Sequence, residues 1–291
     1  MRINTNIASL NAQESGTLNS LNANSSLEKL SSGLKINKAS DDASGLAIAD
    51  KLRTQKNSLI QSVSNANSAV SLIQIADKAM GEQSNILDIV KQKLIQSATA
   101  TTSDEGRKAL AKDIHKLLEQ LDGIAKQTNY NGISLLQESS TESGTAATLT
   151  FQLGEKAADI ISSSNAIQSN TTGLGAGANS LLDLKTDTAG AIPAMTSADD
   201  ARVYMAVVDT SINDLNTMRS DFGSTQNQIE SATRNLMTAV TNIAAAESVI
   251  RDVDYAQESA NFNQKSIIGQ ASTYAQTQAN ALPQNILKLL N

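Results

Sequence analysis

The sequence predicts a mainly α protein of long antiparallel helices and coiled coil, with one small β-hairpin. Aromatic residues make up only 2% of the 291 residues, so the 40% hydrophobic content rests on Ala, Leu and Ile, which favours long helices with thin seams. Gly and Pro are both missing from residues 46–80 and 224–268, so each stretch can form an unbroken helix. Apolar residues also recur at helical spacing near both ends of the chain.

The first helix is expected over residues 3–34, where apolar residues recur mostly three, four or seven positions apart. Residues 250–290 repeat this spacing. An apolar stripe this narrow needs a partner helix to shield it from water. Since termini are usually frayed, patterned ends indicate packing against each other and against other copies. Packing within one molecule is the alternative for each residue of the expected polymerisation interface. These residues are Ile3, Ile7, Leu10, Leu21, Leu30, Leu34, Ile267 and Leu282.

The second and third helices are marked by capping signals. Residues 40–42 place capping side chains and negative charge at the start of a helix that should reach about residue 98. Thr102 with Glu105 makes a capping box for a third helix over about 103–128.

The spacing of apolar residues then changes, which predicts a hairpin near residues 147–163. Apolar residues alternate over 149–153, and residues 159–163 can pair back after a turn. Residues 139–146 and 162–192 are rich in Ser, Thr, Asn, Ala and Gly without a clear period, so loop structure is expected there.

Helix should resume at Ser197, which can form a second capping box with Asp200. The helical pattern continues from there, and we expect it to extend to the end of the chain. Gly223 and Gly269 are its local weak points.

Charge and composition exclude several classes of function. Residues 1–60 and 251–291 together carry a net charge of +2 and residues 61–250 carry −8, whereas a nucleic-acid surface would be basic. The lack of Cys excludes disulfides, Cys-based zinc sites and thiol catalysis. There is no apolar run of about 18 residues, and no apolar core follows Arg2. Membrane insertion and a cleaved signal peptide are therefore not expected.

Several long strings give the chain a family resemblance. Examples are Ile3-Asn-Thr-Asn-Ile, Leu30-Ser-Ser-Gly-Leu-Lys-Ile-Asn, Asp41-Asp-Ala-Ser-Gly-Leu-Ala-Ile-Ala and Ile250-Arg-Asp-Val-Asp-Tyr-Ala. With similar strings at 127–133, 219–227 and 278–285, they cover roughly residues 1–136 and 202–291. In these strings the chain resembles bacterial flagellins, in a short form that lacks most of the variable outer domain.

The resemblance implies two domains. Residues 1–43 with 252–291 would form an inner coiled-coil polymerisation domain. Residues 44–251 would form a helical rod domain that carries the hairpin and a short Ser/Thr-rich outer loop at 164–195. Asp41, Asp42 and Arg53 would lie where the inner and rod domains join, although solvated charges at a helix end are the alternative.

The function implied is that of a structural subunit that self-assembles into the helical flagellar filament for swimming, without enzymatic activity or cofactor. Export as an unfolded chain would make the protein secreted and extracellular. Its partners would be further copies of itself, an export chaperone at the C-terminal segment, and the filament cap and hook-junction proteins. The alternative is a hook–filament junction protein of the same superfamily.

Two further groups of residues follow from the resemblance. Ile89, Gln92 and Lys93 stand where many flagellins carry the Arg, Glu and Leu held by Toll-like receptor 5, which implies poor recognition by that receptor. The Ser/Thr-rich stretch would face outward and could be O-glycosylated, or could be a plain soluble loop. The candidates for O-glycosylation are Ser139, Thr141, Ser143, Ser163, Ser164, Thr171, Thr172 and Ser180.

Two other classes of protein fit less well. A zinc peptidase insert, as some flagellins carry, needs a His-Glu-x-x-His helix, but His115 is the one histidine of the chain. We expect His115 to be a surface or seam residue. Signalling coiled coils of the chemoreceptor kind share the composition, but they lack a β-hairpin and usually accompany a membrane helix.

Overall fold

The computed structural model describes residues 5–137, 148–163, 167–175, 180–189 and 197–290, except for the side chains of 189 and 282–290. These residues form six helices and two small antiparallel strand pairs, which confirms the predicted fold class. The helices are α1 (Ile7–Ser32), α2 (Ala43–Ser97), α3 (Asp104–Gln127), α4 (Leu181–Ala189), α5 (Ala198–Arg251) and α6 (Tyr255–Leu290). The strands are β1 (Asn129–Tyr130), β2 (Ile133–Ser134), β3 (Thr150–Gln152) and β4 (Ile160–Ser162).

The chain divides into two compact units, one of Met1–Asn57 with Val240–Asn291 and one of Ser58–Ala239. The first unit contains the antiparallel pair α1–α6, the start of α2 and the end of α5. Within it, Lys56 Nζ lies 2.6 Å from Glu247 Oε2, which joins α2 to α5. The domain boundaries predicted after residues 43 and 251 stay predictions.

Helix α1 has a side-chain cap at one end and a glycine cap at the other. Asn6 precedes the helix, and its side chain accepts a hydrogen bond from the Ser9 N–H at 3.2 Å. Gly33 follows it with a left-handed φ of 73° and donates its N–H to Lys29 O at 2.9 Å. A residue with a side chain would be strained at this φ, so glycine ends the helix here.

The prediction of one continuous helix from Ser197 to the end of the chain is wrong, because α5 ends at Arg251 and α6 begins at Tyr255. Asp254 causes part of this break, since its Oδ1 accepts the N–H groups of Ala256 and Gln257 and so caps α6. Short acidic side chains compete with the helical backbone in this way. The absence of Gly and Pro therefore did not guarantee continuity.

In the second unit, the core lies between α2, α3, α4, α5 and the hairpins. Asp77 Oδ1 of α2 lies 2.9 Å from Arg219 Nε of α5, which holds the two long helices side by side. The largest fully buried side chains of this core are Phe222, Ile73, Met80, Leu87, Leu94, Ile114, Leu118, Leu121, Leu135, Leu136, Leu174 and Leu181.

Capping of the helices in this unit agrees only partly with the sequence prediction. The cap of α3 is Ser103, whose Oγ accepts the Gly106 N–H at 3.2 Å, whereas Thr102 donates its hydroxyl to a carbonyl of α2. The predicted Thr102 capping box is therefore wrong by one residue. The Ser197–Asp200 box is confirmed, since Asp200 Oδ2 accepts the Ser197 N–H at 3.2 Å.

Both strand pairs are hairpins, but only the longer one was expected from the sequence. Strands β3 and β4 pair antiparallel with Phe151 opposite Ile161, as predicted. The β1–β2 hairpin was missed. Asn131 and Gly132, with φ of 51° and 82°, form its turn, and Asn-Gly is the commonest sequence for such a two-residue turn.

The expectation of loop over residues 162–192 is wrong for a large part of that stretch. Ile167 and Leu174 are buried in the core, and α4 buries Leu181 and Leu184. A capping box starts α4, because Asp183 Oδ2 accepts the Ser180 N–H at 2.7 Å. A helix of nine residues is too short to show a clear period, which is why the pattern did not reveal it.

Candidate self-assembly interface

Helices α1 and α6 meet along one seam, to which each helix contributes a row of mostly small or polar residues. In each row these residues recur three and four positions apart. A Cβ atom on Gly16 would lie 3.7 Å from Ser272 Cβ, and one on Gly269 would lie 3.2 Å from Asn19 Nδ2, so these positions face each other. The small side chains allow the two helices to approach closely. The seam residues are Ser9, Ala12, Gly16, Asn19, Ala23, Ser26 and Leu30 on α1, and Glu258, Phe262, Lys265, Gly269, Ser272, Gln276 and Ala279 on α6.

Polar bonds cross this seam at both ends. Asn6 Nδ2 donates to Ala279 O at 2.8 Å near the start of α1, and Asn19 Nδ2 donates to Lys265 O at 2.7 Å further along. Lys265 Nζ donates to Ser26 Oγ at 2.8 Å. The two terminal helices are therefore joined mainly through small and polar groups.

Ser26 also interacts with Glu258 on α6. The hydrogen bond from Ser26 lowers the pKa of the Glu258 carboxyl, and this effect exceeds the opposing effect of partial desolvation. The Ser26 hydroxyl thus accepts a hydrogen bond from Lys265 and also influences the Glu258 carboxyl of the same partner helix.

Four large apolar residues of α1 lie on the opposite face of the helix. At about 100° per residue, Ile7, Leu10, Leu18 and Leu21 are on the side away from the seam. Their exposed fractions are 54–63%. On α6, Ile267 and Tyr274 likewise lie away from the seam and are 65% and 73% exposed. A contiguous exposed apolar face of this kind marks a surface for another protein or another copy.

The link between α1 and α2 is held against the link between α5 and α6 by backbone bonds. Leu34 and Asp252 form an isolated antiparallel bridge. Beside it, Val253 N–H donates to Gly33 O at 3.0 Å and Lys35 N–H donates to Arg251 O at 2.6 Å. The link between α1 and α2 and the link between α5 and α6 therefore lie side by side.

The predicted junction residues follow this bridge or lie in the first turns of α2. Asp41 accepts the N–H groups of Asn37 and Lys38 in its carboxylate, and these bonds lower its pKa. Asp42 Oδ1 accepts the Gly45 N–H at 2.9 Å and so caps α2. Arg53 pairs with Asp50 of the same helix at 3.0 Å. Their role at a domain junction stays a prediction.

Comparison with known proteins identifies the family. A model of the bacterial flagellin N-terminal helical region matches residues 3–141, and a model of the bacterial flagellin C-terminal helical region matches residues 205–290. This chain belongs to the bacterial flagellin family. The resemblance predicted from the sequence strings is thereby confirmed, and because the family is one of structural proteins, so is the prediction that the chain is not an enzyme.

Relatives match this flagellin over its whole length. The flagellin of Bacillus subtilis (strain 168) is 37% identical over an alignment of 318 positions that covers 100% of both chains. A flagellar filament 30.7 kDa core protein of Treponema maltophilum is 33% identical over 292 positions, again with 100% of both chains covered. A crystal structure of Bacillus cereus flagellin superposes with a TM-score of 0.48 at 29% identity, over 63% of this chain and 94% of that chain. The full-length matches agree with a short flagellin.

The residues predicted for the polymerisation interface fall into two groups. Ile7, Leu10, Leu21 and Ile267 are exposed. Leu30 and Leu34 are half-buried, Leu30 in the seam with α6 and Leu34 at the bridge to Asp252. Their part in polymerisation stays a prediction. The two remaining positions, Ile3 and the side chain of Leu282, lie outside the described residues.

The inward seam was missed in the sequence. Its signal is a regular alternation of three- and four-residue steps from Ser9 to Leu30, which is the spacing of a coiled coil. Small and polar residues fill these positions, so the search for large apolar residues selected the outward face instead.

The positions equivalent to the receptor-binding residues lie on α2. Ile89 is 41% exposed, and Gln92 is exposed as well. Lys93 is half-buried, and its Nζ lies 3.0 Å from Asp113 Oδ2 on α3. The expectation of poor recognition by Toll-like receptor 5 stays a prediction.

Two of the predicted glycosylation residues are buried, which corrects that prediction. Ser163 Oγ accepts the Leu149 N–H, and Thr171 Oγ1 donates to Asp122 Oδ2 at 2.8 Å. A glycan on either hydroxyl would disrupt the packed core. Thr172 and Ser180 are half-buried. Ser139, Thr141, Ser143 and Ser164 lie outside the described residues.

His115 lies between α3 and α4. Its Nδ1 is 3.1 Å from Lys185 O of α4, and its Nε2 is 3.4 Å from Glu119. Among the described residues there is no cluster of three or more potential metal-binding side chains. Over the same residues, no helix combines the length and apolar character that a membrane span requires.

Proposed function

We propose that the face of large apolar residues opposite the α1–α6 seam is the surface through which this flagellin polymerises into the flagellar filament. The exposure of Ile7, Leu10, Leu18 and Leu21 on one face carries this proposal. Covering one large aliphatic side chain contributes about 1.5–3 kcal/mol, and each subunit brings several. Contacts between different faces of identical subunits, when they do not close on themselves, produce a helical filament.

The terminal helices become ordered on assembly. A pair of helices joined through small and polar groups buries little apolar surface, so it cannot by itself offset the entropy of ordering both ends. Neighbouring subunits cover the outward faces in the filament and supply the missing stabilisation. Asp41, Asp42 and Arg53 stabilise the link at which these ordered ends join the rod.

Export of an unordered chain would precede this assembly, which makes the protein secreted and extracellular. An export chaperone would cover the apolar face of the C-terminal segment until export. Later the cap protein would direct addition at the filament tip, and a hook-junction protein would hold the first subunits. The absence of Cys is compatible with this route because no cross-link can form on the way.

The alternative of a hook–filament junction protein is the weaker one. The relatives that match over 100% of both chains are named flagellin or flagellar filament core protein. These names favour a bulk filament subunit over an adaptor.

The remaining predictions concern recognition by a receptor and glycosylation. Ile89, Gln92 and Lys93 do not offer the guanidinium and carboxylate that Toll-like receptor 5 would bind, which supports poor recognition. O-glycosylation stays proposed at Ser139, Thr141, Ser143, Ser164, Thr172 and Ser180. The intact mass of subunits from native filaments, compared with the mass of the unmodified sequence, tests this proposal.

Reassembly of purified filaments tests the polymerisation surface. Filaments are dissociated by acid or heat and the subunits are reassembled and imaged, with Leu21→Gln as the test variant. Ser20→Gln is the matched control, since it places the same amide at the neighbouring exposed position of α1, which lies outside the apolar face.

The two variants should differ clearly in their assembly. We expect Leu21→Gln to raise the critical concentration at least about tenfold and Ser20→Gln to leave it unchanged. Removal of residues 1–30 should abolish reassembly while the second unit stays helical. Native-like assembly of Leu21→Gln would contradict the proposal.

A further inference from the structure

We propose that Ser26 and Lys265 form a polar lock that sets the register of α1 against α6. The register of the two helices also aligns their outward apolar faces, so the lock positions the polymerisation surface. This inference rests on the proposed function.

The rest of the seam has little to define a register. Small and polar residues repeat along it at heptad spacing, so a shift of α6 by seven residues would mostly exchange one such residue for another. Such a shift would move Gly16 from Ser272 to Ala279, for example. Leu30 and Phe262 are the only large apolar residues of the seam, and they lie near one end of it.

At the lock, the seam is most buried and its hydrogen bonds depend on particular side chains. Ser26 is 1% exposed, although most of α1 is accessible. Its hydroxyl accepts from Lys265 Nζ at 2.8 Å, and Lys265 Nζ also reaches Asn22 O at 3.3 Å. From the other side, Asn19 Nδ2 donates to the backbone carbonyl of Lys265 at 2.7 Å. Side-chain and backbone atoms of one α6 residue are therefore both held by α1.

A shifted register removes the bonds of the Lys265 ammonium group to Ser26 and Asn22, whereas Asn19 still finds a backbone carbonyl of α6. Seven residues of helix span roughly 10.5 Å, far beyond hydrogen-bond distance. Lys265 would then lie opposite Leu30, in the place that Glu258 has in the native register, and Ser272 would lie where Lys265 was. Loss of a hydrogen bond to a charged group, with the ammonium left against an apolar residue, disfavours the shift. Single polar residues in coiled-coil seams define register in the same way.

The register matters for assembly because the outward residues belong to both helices. A shift of seven residues would displace Ile267 and Tyr274 along the axis relative to Leu10 and Leu21. Neighbouring subunits that fit one arrangement of these residues would not fit the other, since packed apolar surfaces tolerate little displacement.

Disulfide trapping can measure the register, because the natural chain has no Cys. Gly16→Cys with Ser272→Cys reports the register of the structure, where the Cβ separation of 3.7 Å suits a disulfide. Gly16→Cys with Ala279→Cys reports the register shifted by seven residues. Filaments are assembled from each double variant, oxidised and dissolved, and the intramolecular cross-link is quantified on non-reducing gels.

With the lock intact, we expect the 16–272 cross-link and almost no 16–279 cross-link. Lys265→Met should raise the ratio of shifted to native cross-link about tenfold, the size expected for losing a hydrogen bond to a charged group. Ser26→Ala should act in the same direction. Lys265→Arg keeps the charge and its donors and should keep the ratio low. Gln264→Met should also keep it low, because it places the same side chain as Lys265→Met at the neighbouring exposed position of α6 outside the seam.

The possible outcomes separate this inference from the proposed function. If Lys265→Met or Ser26→Ala filaments give only the 16–272 cross-link, the lock does not set the register and the inference is overturned. If Lys265→Met forms no filaments, a 16–272 disulfide formed beforehand should restore assembly, and a failure to restore it would equally overturn the inference. If subunits with an intact lock form no filaments, the proposed function itself is wrong.

Discussion

Lys265 Nζ lies 2.8 Å from Ser26 Oγ, and this pair joins the two ends of a chain across 239 residues of sequence. The same Ser26 hydroxyl lowers the pKa of the Glu258 carboxyl. The terminal helices thus contact each other mainly through polar and small groups and leave most of their large apolar residues uncovered. Such a division of faces is what a subunit needs when its partners are further copies of itself.

Acid should weaken this pair of helices through Glu258. Its hydrogen bond with Ser26 lowers the pKa of Glu258 below the ordinary value of 4.5 in the folded state. The stabilisation is therefore fully present above that ordinary value, and it is lost as the pH falls through the lower, folded pKa. We expect Glu258→Gln filaments to dissociate more easily at neutral pH and to lose less stability on acidification. Light scattering during pH titration measures both, and an unchanged acid transition would contradict the assignment.

Two glycines of α2 should respond in opposite directions to the same substitution. A Cβ on Gly45 would clash with Asp42 Oδ2 and would lie 2.8 Å from Ile36 Cδ1, so Gly45→Ala must displace the helix cap and a buried side chain. We expect a loss of about 1–3 kcal/mol. Gly81 has open space around that position, and Gly81→Ala should stabilise the helix by about 0.5–1 kcal/mol.

Thermal scans of filaments at one protein concentration compare these two variants. The heat-dissociation midpoint should fall for Gly45→Ala and should not fall for Gly81→Ala. Equal shifts of the heat-dissociation midpoint for the two variants would show that steric contact with Asp42 and Ile36 does not determine the stability of the start of α2.

The ion pair of Asp122 and Lys185 should stabilise the second unit. The two side chains lie 2.7 Å apart with little exposure, and Asp122 also accepts the N–H and the hydroxyl of Thr171. Asp122→Ala removes the acceptor that the Lys185 ammonium group and the N–H and hydroxyl of Thr171 share, so we expect a loss of about 3–5 kcal/mol. Lys185→Met should cost less, because Thr171 still satisfies the carboxylate.

Circular dichroism melting of dissociated subunits tests this order. Lys108→Met is the control, since its partner Glu105 is highly exposed and such pairs contribute at most about 1 kcal/mol. A midpoint for Asp122→Ala equal to that of the control would show that this pair is not part of the stabilising core.

Receptor recognition should increase when the family residues are restored. The triple variant Ile89→Arg, Gln92→Glu, Lys93→Leu supplies the guanidinium, the carboxylate and the apolar side chain that the natural sequence lacks at these positions. A reporter-cell assay for Toll-like receptor 5 should show weak activation by the natural monomer and stronger activation by the triple variant. Full activation by the natural monomer would contradict the prediction.

The sequence predicted the long helices well because their capping signals and apolar periods are strong. The start of α2 at Ala43 and the start of α5 after Ser197 follow directly from Asp42 and from the Ser197–Asp200 box. The period could not show where α5 ends, since the break comes from the Asp254 cap and from backbone bonds to a distant segment, Gly33–Lys35. Contacts between residues far apart in sequence are not visible in a local pattern.

The candidate interface was predicted in part. Large residues such as Leu10 and Leu21 were found because their apolar spacing is conspicuous, but the same criterion included Leu30 and Leu34, which are half-buried within the subunit. The partner positions on the inner seam were not found because they are small or polar. Apolar spacing identifies a face of a helix, and the chemistry of the opposite face determines whether that face turns inward or outward.

Hydrogen exchange in monomers and in filaments measures whether the terminal helices become ordered only on assembly. We expect rapid amide exchange over α1 and α6 in dissociated subunits, with the core of the second unit protected, and strong protection of both terminal helices in filaments. Equal protection of α1 and α6 in monomers that show no tendency to polymerise would contradict it.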